Sequence, residues 1–281
     1  MKNSKKVNFE LKISEKMSLS RYLEKLISEG RHHFTTNEIQ STLGMNKNTV
    51  SASLSRLGKK KRVKMLRKGF GIILGFGGRE PDPSYFIDAM MTHINVKYYV
   101  GLLTAASYWG AGHQAVMVYQ VVVDKPVYRV SLEKIKIDFV VKTVNFPDKE
   151  LKRVGGSGGY FKISSPELTA IDVVHYARKS GQLNNVATVL EDLSDQLDKN
   201  AFLQNCQNPS TPTVTLQRIG FVFERILSKK RFARIVDQAL SNRRSVPVYL
   251  SQAKSKANPR MSDYEFDEHW KLYINTIVEP D

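Results

Sequence analysis

Cysteine is almost missing from this sequence: Cys206 is the single one in 281 residues. One thiol forms no intramolecular disulfide, and a chain without disulfides fits a reducing, cytoplasmic compartment. Long apolar runs are missing too. The longest apolar-leaning stretch, 115–123, falls far short of the roughly 20 residues a helix needs to cross a bilayer. The start of the chain is polar and lysine-rich with no apolar stretch behind it, so no secretory signal is expected. His32, His33, His93, His113, His175 and His269 are scattered. They form no His-Glu-x-x-His pattern and have no cysteine pair beside them, so neither metal nor cofactor is expected. Acidic charge is scarce at one end. Residues 1–78 hold 17 basic and 5 acidic side chains, so that end carries +12 of the chain's net +16.

What is present divides in two. A length of 281 residues fits two domains at about 100–200 residues each, and 41% hydrophobic content can build a core in the larger part. The expected organisation is a basic module over 1–78, a linker at 79–83 and a near-neutral body over 84–281. Glycine and proline crowd residues 75–83, where they interrupt helix and strand alike. Charge gathered at one end points to a polyanion-binding module joined to a globular body.

The order of elements in the basic module sharpens that reading. Ser18 or Ser20 can cap a helix whose face carries Leu19, Tyr22, Leu23, Leu26 and Ile27. Thr35 or Thr36 can cap a second, with Ile39 and Leu43 apolar before the stop at Gly44. Asn46 caps a third, running to about Leu57. Two short strands, 63–66 and 70–74, then turn at Arg67-Lys68-Gly69. Helix, helix, tight turn, helix and basic hairpin is the winged helix-turn-helix order.

On the third helix Val50, Leu54 and Leu57 recur at i, i+4 and i+7 as the core stripe. Asn48, Ser51, Ala52 and Ser55 point away from it, with Thr49 and Arg56 at the flanks. Small and polar side chains let a helix approach base edges in a major groove about 12 Å wide. Asn suits adenine, Arg suits guanine, and Ser and Thr bond phosphates or either base. Lys47 sits at the positive N-terminal end of that helix. Lys59, Lys61 and Arg62, with Arg67 and Lys68 at the hairpin tip, complete a candidate DNA-contacting set. A basic run by itself is also consistent with a solvated surface.

The body reads as α+β. Helices are expected over 85–91 and 98–108, and strands over 115–123, 127–130 and 136–141. A glycine-rich turn at 155–159 leads into a strand at 160–163. Helices follow at 166–177, with Pro166 at the first position, then at 183–197, 199–205, 216–227 and 230–240. Late strands at 246–250 and 270–274 close the fold.

Catalytic constellations fare poorly. The run 155–159 is glycine-rich, yet no Lys-Ser/Thr follows it, so a hairpin turn accounts for it better than a phosphate cradle. Asp138 in a strand, with Glu133 and Lys136 nearby, distantly resembles a nuclease metal site, but the spacing is not the usual one. Glu167 reads as a helix-start charge and Asp172 as a surface or buried polar group. Trp109 and Trp270 read as core anchors. No enzymatic activity is expected.

Four further segments carry a resemblance. They are Tyr98-Tyr99-Val100-Gly101-Leu102-Leu103-Thr104-Ala105-Ala106-Ser107-Tyr108-Trp109-Gly110 and Ser164-Ser165-Pro166-Glu167-Leu168-Thr169-Ala170-Ile171-Asp172, then Arg218-Ile219-Gly220-Phe221-Val222-Phe223-Glu224, and the stretch from Trp270 to Asp281. In this order after a basic winged helix, the chain resembles the AbiEi-type antitoxins of bacterial type IV toxin–antitoxin systems. The resemblance implies a repressor of its own operon that binds operator DNA as a monomer or weak dimer. It also implies neutralisation of a cognate nucleotidyltransferase-like toxin without a stable complex. Because the family's toxins act on nucleotides or RNA, Lys152, Arg153, Arg231 and Arg234 are the candidates for opposing the toxin, as basic residues able to compete for its substrate. Two other readings stay open: a winged-helix nuclease or restriction-like subunit, and a scaffold that uses its basic end for RNA.

Overall fold

The computed structural model describes residues 17–112, 118–130, 132–143, 146–156, 159–251 and 261–280. The chain divides into two compact units, Met1–Pro81 and Asp82–Asp281.

In the first unit the order is α1 (Leu19–Ser28), β1 (His33–Thr35), α2 (Thr36–Leu43), α3 (Lys47–Lys59), β2 (Val63–Arg67) and β3 (Phe70–Ile73). Each helix begins where a side-chain oxygen takes up an orphan amide. Ser18 accepts from Arg21 N, Thr35 from Glu38 N and Asn46 from Thr49 N. Gly44 ends α2 at φ 61°, a left-handed backbone in which glycine carries no Cβ penalty. That allows the sharp turn into α3. The strands form one antiparallel sheet in the order β1-β3-β2. Leu19, Leu23 and Leu26 of α1 pack with Phe34, Ile39, Val50, Leu54 and Val63 in a single core. Strand β1 has no signature in the sequence, since three residues are too few to show alternation. It forms because Phe34, fully buried, is held by pairing with β3.

The stretch 75–83 is shaped rather than extended. Phe76–Gly78 and Pro83–Tyr85 are 3-10 turns, Gly75 N donates to Arg79 O at 2.7 Å, and Glu80 pairs with Lys64.

The second unit is α+β. It runs α4 (Ile87–His93), β4 (Tyr98–Val100), α5 (Leu102–Tyr108), β5 (Val118–Val123), β6 (Lys136–Val141), β7 (Leu151–Gly156) and β8 (Gly159–Ser164). Then come α6 (Pro166–His175), α7 (Gln182–Leu193), α8 (Lys199–Gln207), α9 (Thr213–Phe221) and α10 (Lys230–Leu240). Short strands β9 (Val248–Tyr249), β10 (Phe266–Asp267) and β11 (Leu272–Tyr273) close it as a small sheet in the order β10-β11-β9. The main sheet is mixed, in the order β6-β5-β4-β8-β7. Val173, Val186, Leu190, Phe202, Ile219, Phe223, Phe232 and Trp270 belong to the helical core. Between sheet and helices, Tyr99, Leu102, Val122, Val140 and Leu168 form a smaller cluster. Among the described residues no helix is long and apolar enough to cross a membrane.

Several elements differ from the sequence reading. Residues 98–108 are not one helix: Tyr98–Val100 pair with β5, Val100 also pairs with Ile163 of β8, and the chain turns at Gly101 and at Leu102, which has φ 54°. Sheet pairing of two tyrosines and a valine overrides helical propensity there. The expected strand at 127–130 reduces to one bridge, Val130 with Ile137. The glycine-rich turn sits in the β7–β8 hairpin, with 157–158 outside the described residues, as are 115–117 of the strand expected at 115–123.

Candidate functional site

The polar face of α3 is built by its own capping and core stripe. Val50 and Leu54 are buried, which turns Asn48, Ser51, Ala52, Ser55 and Lys59 outward, with Lys47, Thr49 and Arg56 exposed beside them. No acidic residue stands in the first turn of α3, so its positive end is uncompensated there. The structure also shows which candidates are already occupied. The Thr49 hydroxyl donates to Asn46 Oδ1 at 2.9 Å, and Arg56 Nη2 donates to Ser53 Oγ at 3.2 Å. Arg62 turns back to Glu24 at 3.3 Å. Exposed Lys61 covers Gly78. Lys68, at the β2–β3 tip, is exposed. Arg67 is half-buried, its guanidinium donating to Leu66 O, and burial lowers its pKa. Asn48, Ser51, Ser55 and Lys59 therefore form one outward stripe, with Arg56 at its edge.

In the second unit the four basic candidates fall as two pairs. Lys152 and Arg153 are exposed on β7, where Arg153 lies 4.8 Å over the Tyr160 ring. Arg231 and Arg234 are exposed on α10, Arg231 lying 4.5 Å over Phe232. Asp138 is engaged by Lys179 at 2.9 Å. Among the described residues no group of three or more His, Cys, Asp or Glu side chains is placed to hold a metal.

A polar cavity of about 280 Å³ lies between the sheet and the helical layer. Helix α6 supplies Asp172 and His175, the end of β6 leads to Lys142, and Glu150 and Asn208 come from the segments around it. Asp172 is only 1% exposed. The Tyr99 hydroxyl donates to its Oδ2 at 2.7 Å, and Lys142 Nζ stands 3.6 Å from Oδ1. Burial, then Asp172, pushes the Tyr99 phenol well above its ordinary pKa, so it stays a donor. Tyr176, on the same wall, is raised to about 12 by burial and then Asp172. Sequence reasoning left Asp172 as an ordinary polar group and did not gather Tyr99, Lys142, Glu150 or Asn208. The available signal was a carboxylate and a histidine three residues apart on α6, where every other position after Thr169 is apolar.

Residues 99–224 match the family model of the AbiEi antitoxin C-terminal domain. The chain carries an AbiEi antitoxin domain. The matched segment runs from Tyr99 to Glu224, and every residue lining the cavity falls inside it. The crystal structure of the RV2827C protein from Mycobacterium tuberculosis is similar in fold. It has a TM-score of 0.63 and 14% identity, over 90% of this chain and 89% of that one. No curated protein matches the sequence.

His175 gives the AbiEi domain an acid sensitivity. Burial lowers its pKa from the ordinary 6.5, with Lys142 and Arg218 acting the same way and Asp172 opposing them. The unfolded chain therefore takes up a proton before the folded one does. Stability from this group is complete above pH 6.5 and is lost as pH falls from there through the lowered folded value. His32 in the first unit is lowered by burial too, so the comparison must be between variants. The melting temperature of wild type should fall more steeply between pH 7 and 5 than that of His175→Gln. Parallel curves would refute the assignment.

Proposed function

We propose that this antitoxin is also a DNA-binding repressor of its own operon, its first unit acting as a winged helix-turn-helix. The supporting observation is the outward stripe of α3, with small or amide side chains at Asn48, Ser51 and Ser55 and cations at Lys47, Arg56 and Lys59. The sheet order β1-β3-β2 sets a basic hairpin tip, Arg67-Lys68, after that helix, as a wing would be. In this reading α3 enters the major groove and Lys68 holds phosphate. Paired half-sites take two copies of a chain that is monomeric or weakly dimeric. The AbiEi domain opposes a nucleotidyltransferase-like toxin without a stable complex and without catalysis of its own. Lys152, Arg153, Arg231 and Arg234 compete for the toxin's nucleotide or RNA substrate.

Gel-shift titrations of the full chain test the DNA-binding half. Operator duplex should bind more tightly than a scrambled duplex. Log affinity should fall with log salt at a slope of about −0.9 per phosphate contact. Equal affinity for both duplexes at every salt concentration would overturn the reading.

A further inference from the structure

We propose that the cavity beside α6 binds a small, hydroxyl-rich molecule of the nucleoside or monosaccharide class. The proposal does not depend on how the chain meets DNA or toxin. A volume of about 280 Å³ lies just below the range of ligand pockets, roughly 300 to 1,000 Å³, and so suits only a small molecule.

The polar groups around it are costly to keep. Asp172 is 1% exposed and Lys142 16% by side chain, and an ion pair so placed is generally no more stable than a well-packed apolar pair. Buried charge gathered in a cleft is a mark of a functional site. The wall is also held in advance. Arg243 donates to the carbonyls of Cys206, Asn208 and Thr211 and so fixes the loop after α8. Asn208 Nδ2 in turn donates to Glu150 Oε1 at 2.9 Å. A wall fixed before binding spares the ordering cost that a ligand would otherwise carry.

The donor and acceptor set selects the ligand. Glu150 is the wall's accessible acceptor, able to take a hydroxyl in a charge-assisted hydrogen bond, while Asp172, 1% exposed with its oxygens on Tyr99 and Lys142, holds the lysine in place behind it. Lys142 donates, while His175 Nδ1 is already engaged with Thr215 Oγ1 at 3.0 Å. Two carboxylates against one lysine repel a phosphate, which rules against nucleotides and inorganic phosphate as occupants. Leu168, Ile171 and Pro212 give the apolar faces that the carbon side of a sugar or base would cover.

The test uses the full chain and isothermal titration with adenosine, 2′,3′-dideoxyadenosine, methyl glucoside and inorganic phosphate. Adenosine or methyl glucoside should bind, and which of them binds distinguishes the two sources of the hydroxyls. Phosphate should not bind, and neither should dideoxyadenosine. Glu150→Gln should weaken the binding probe by about tenfold or more, the factor expected for one charge-assisted bond, with an unchanged melting temperature. Asp172→Asn should weaken it further. If that variant does not fold, Glu150→Gln decides by itself. No binding of either hydroxyl-bearing probe at millimolar concentration would overturn the proposal. So would dideoxyadenosine binding as well as adenosine, phosphate binding, or an affinity unmoved by Glu150→Gln.

Discussion

Replacing Gly220 with valine should strongly destabilise the second unit. A Cβ at Gly220 would stand 2.0 Å from Trp270 Cζ3 and 2.2 Å from Cη2, far inside any real contact. The indole cannot yield cheaply. Trp270 is 1% exposed, and its Nε1 donates to Glu224 Oε2 at 2.8 Å. Glu224 lies in the π-helical turn Val222–Ile226 that continues α9, so the ring ties the end of the chain to that helix. Expelling a buried tryptophan costs on the order of 3–5 kcal/mol, set against less than about 1 kcal/mol gained by replacing a helical glycine with β-branched valine. A domain is stable by only about 5–15 kcal/mol, so a substantial part of the margin is lost. Thermal unfolding followed by near-ultraviolet circular dichroism should show a fall of roughly 10 °C or more. A melting temperature within a few degrees of wild type would mean that the packing of Gly220 on Trp270 is not what closes the fold.

The second large effect is on DNA. Asn48→Ala with Arg56→Ala should cost roughly 1–3 kcal/mol for each base that the side chain reads, at least about thirtyfold in operator affinity when both read one. Both residues are exposed on α3, and exposed substitutions of this kind change stability by only about 0.5 kcal/mol. Weaker binding would therefore reflect missing base recognition and not unfolding. Lys68→Ala should act differently. It should weaken operator and scrambled DNA alike and shallow the salt slope by about 0.9, the share of a single neutralised phosphate. A double variant that still prefers operator as strongly as wild type would remove α3 from base reading.

How much could be read from the sequence depended on whether a signal was local. The cap at Asn46, the stop at Gly44 and the start at Ser165-Pro166 act within four residues and are found where the sequence placed them. Of the pairs Ser18 or Ser20 and Thr35 or Thr36, the structure uses Ser18 and Thr35. The outward face of α3 followed from the stripe Val50, Leu54 and Leu57, of which the first two are buried and Leu57 is half-buried. Elements made by long-range pairing were hidden. β1 is held by Phe34 against β3, and β4 by Tyr98–Val100 between β5 and β8, and neither can be seen without its partners. The cavity was hidden for the same reason. Tyr99 and Asp172 meet across 73 residues, and Asn208 reaches Glu150 across 58. Lysine counting named Arg62 as a DNA contact without showing that Glu24 stands opposite it.

The central claim is that repression and protection belong to different units of one chain. The growth of cells in which the cognate toxin is induced, with the full chain carrying Asn48→Ala and Arg56→Ala supplied from an unrelated promoter, tests it most directly. Growth should be restored as fully as by the wild-type chain, because the AbiEi domain at 99–224 is untouched. Cells that stay arrested, with the variant folded and present at the wild-type level, would show that protection passes through the DNA-reading face and would contradict the account.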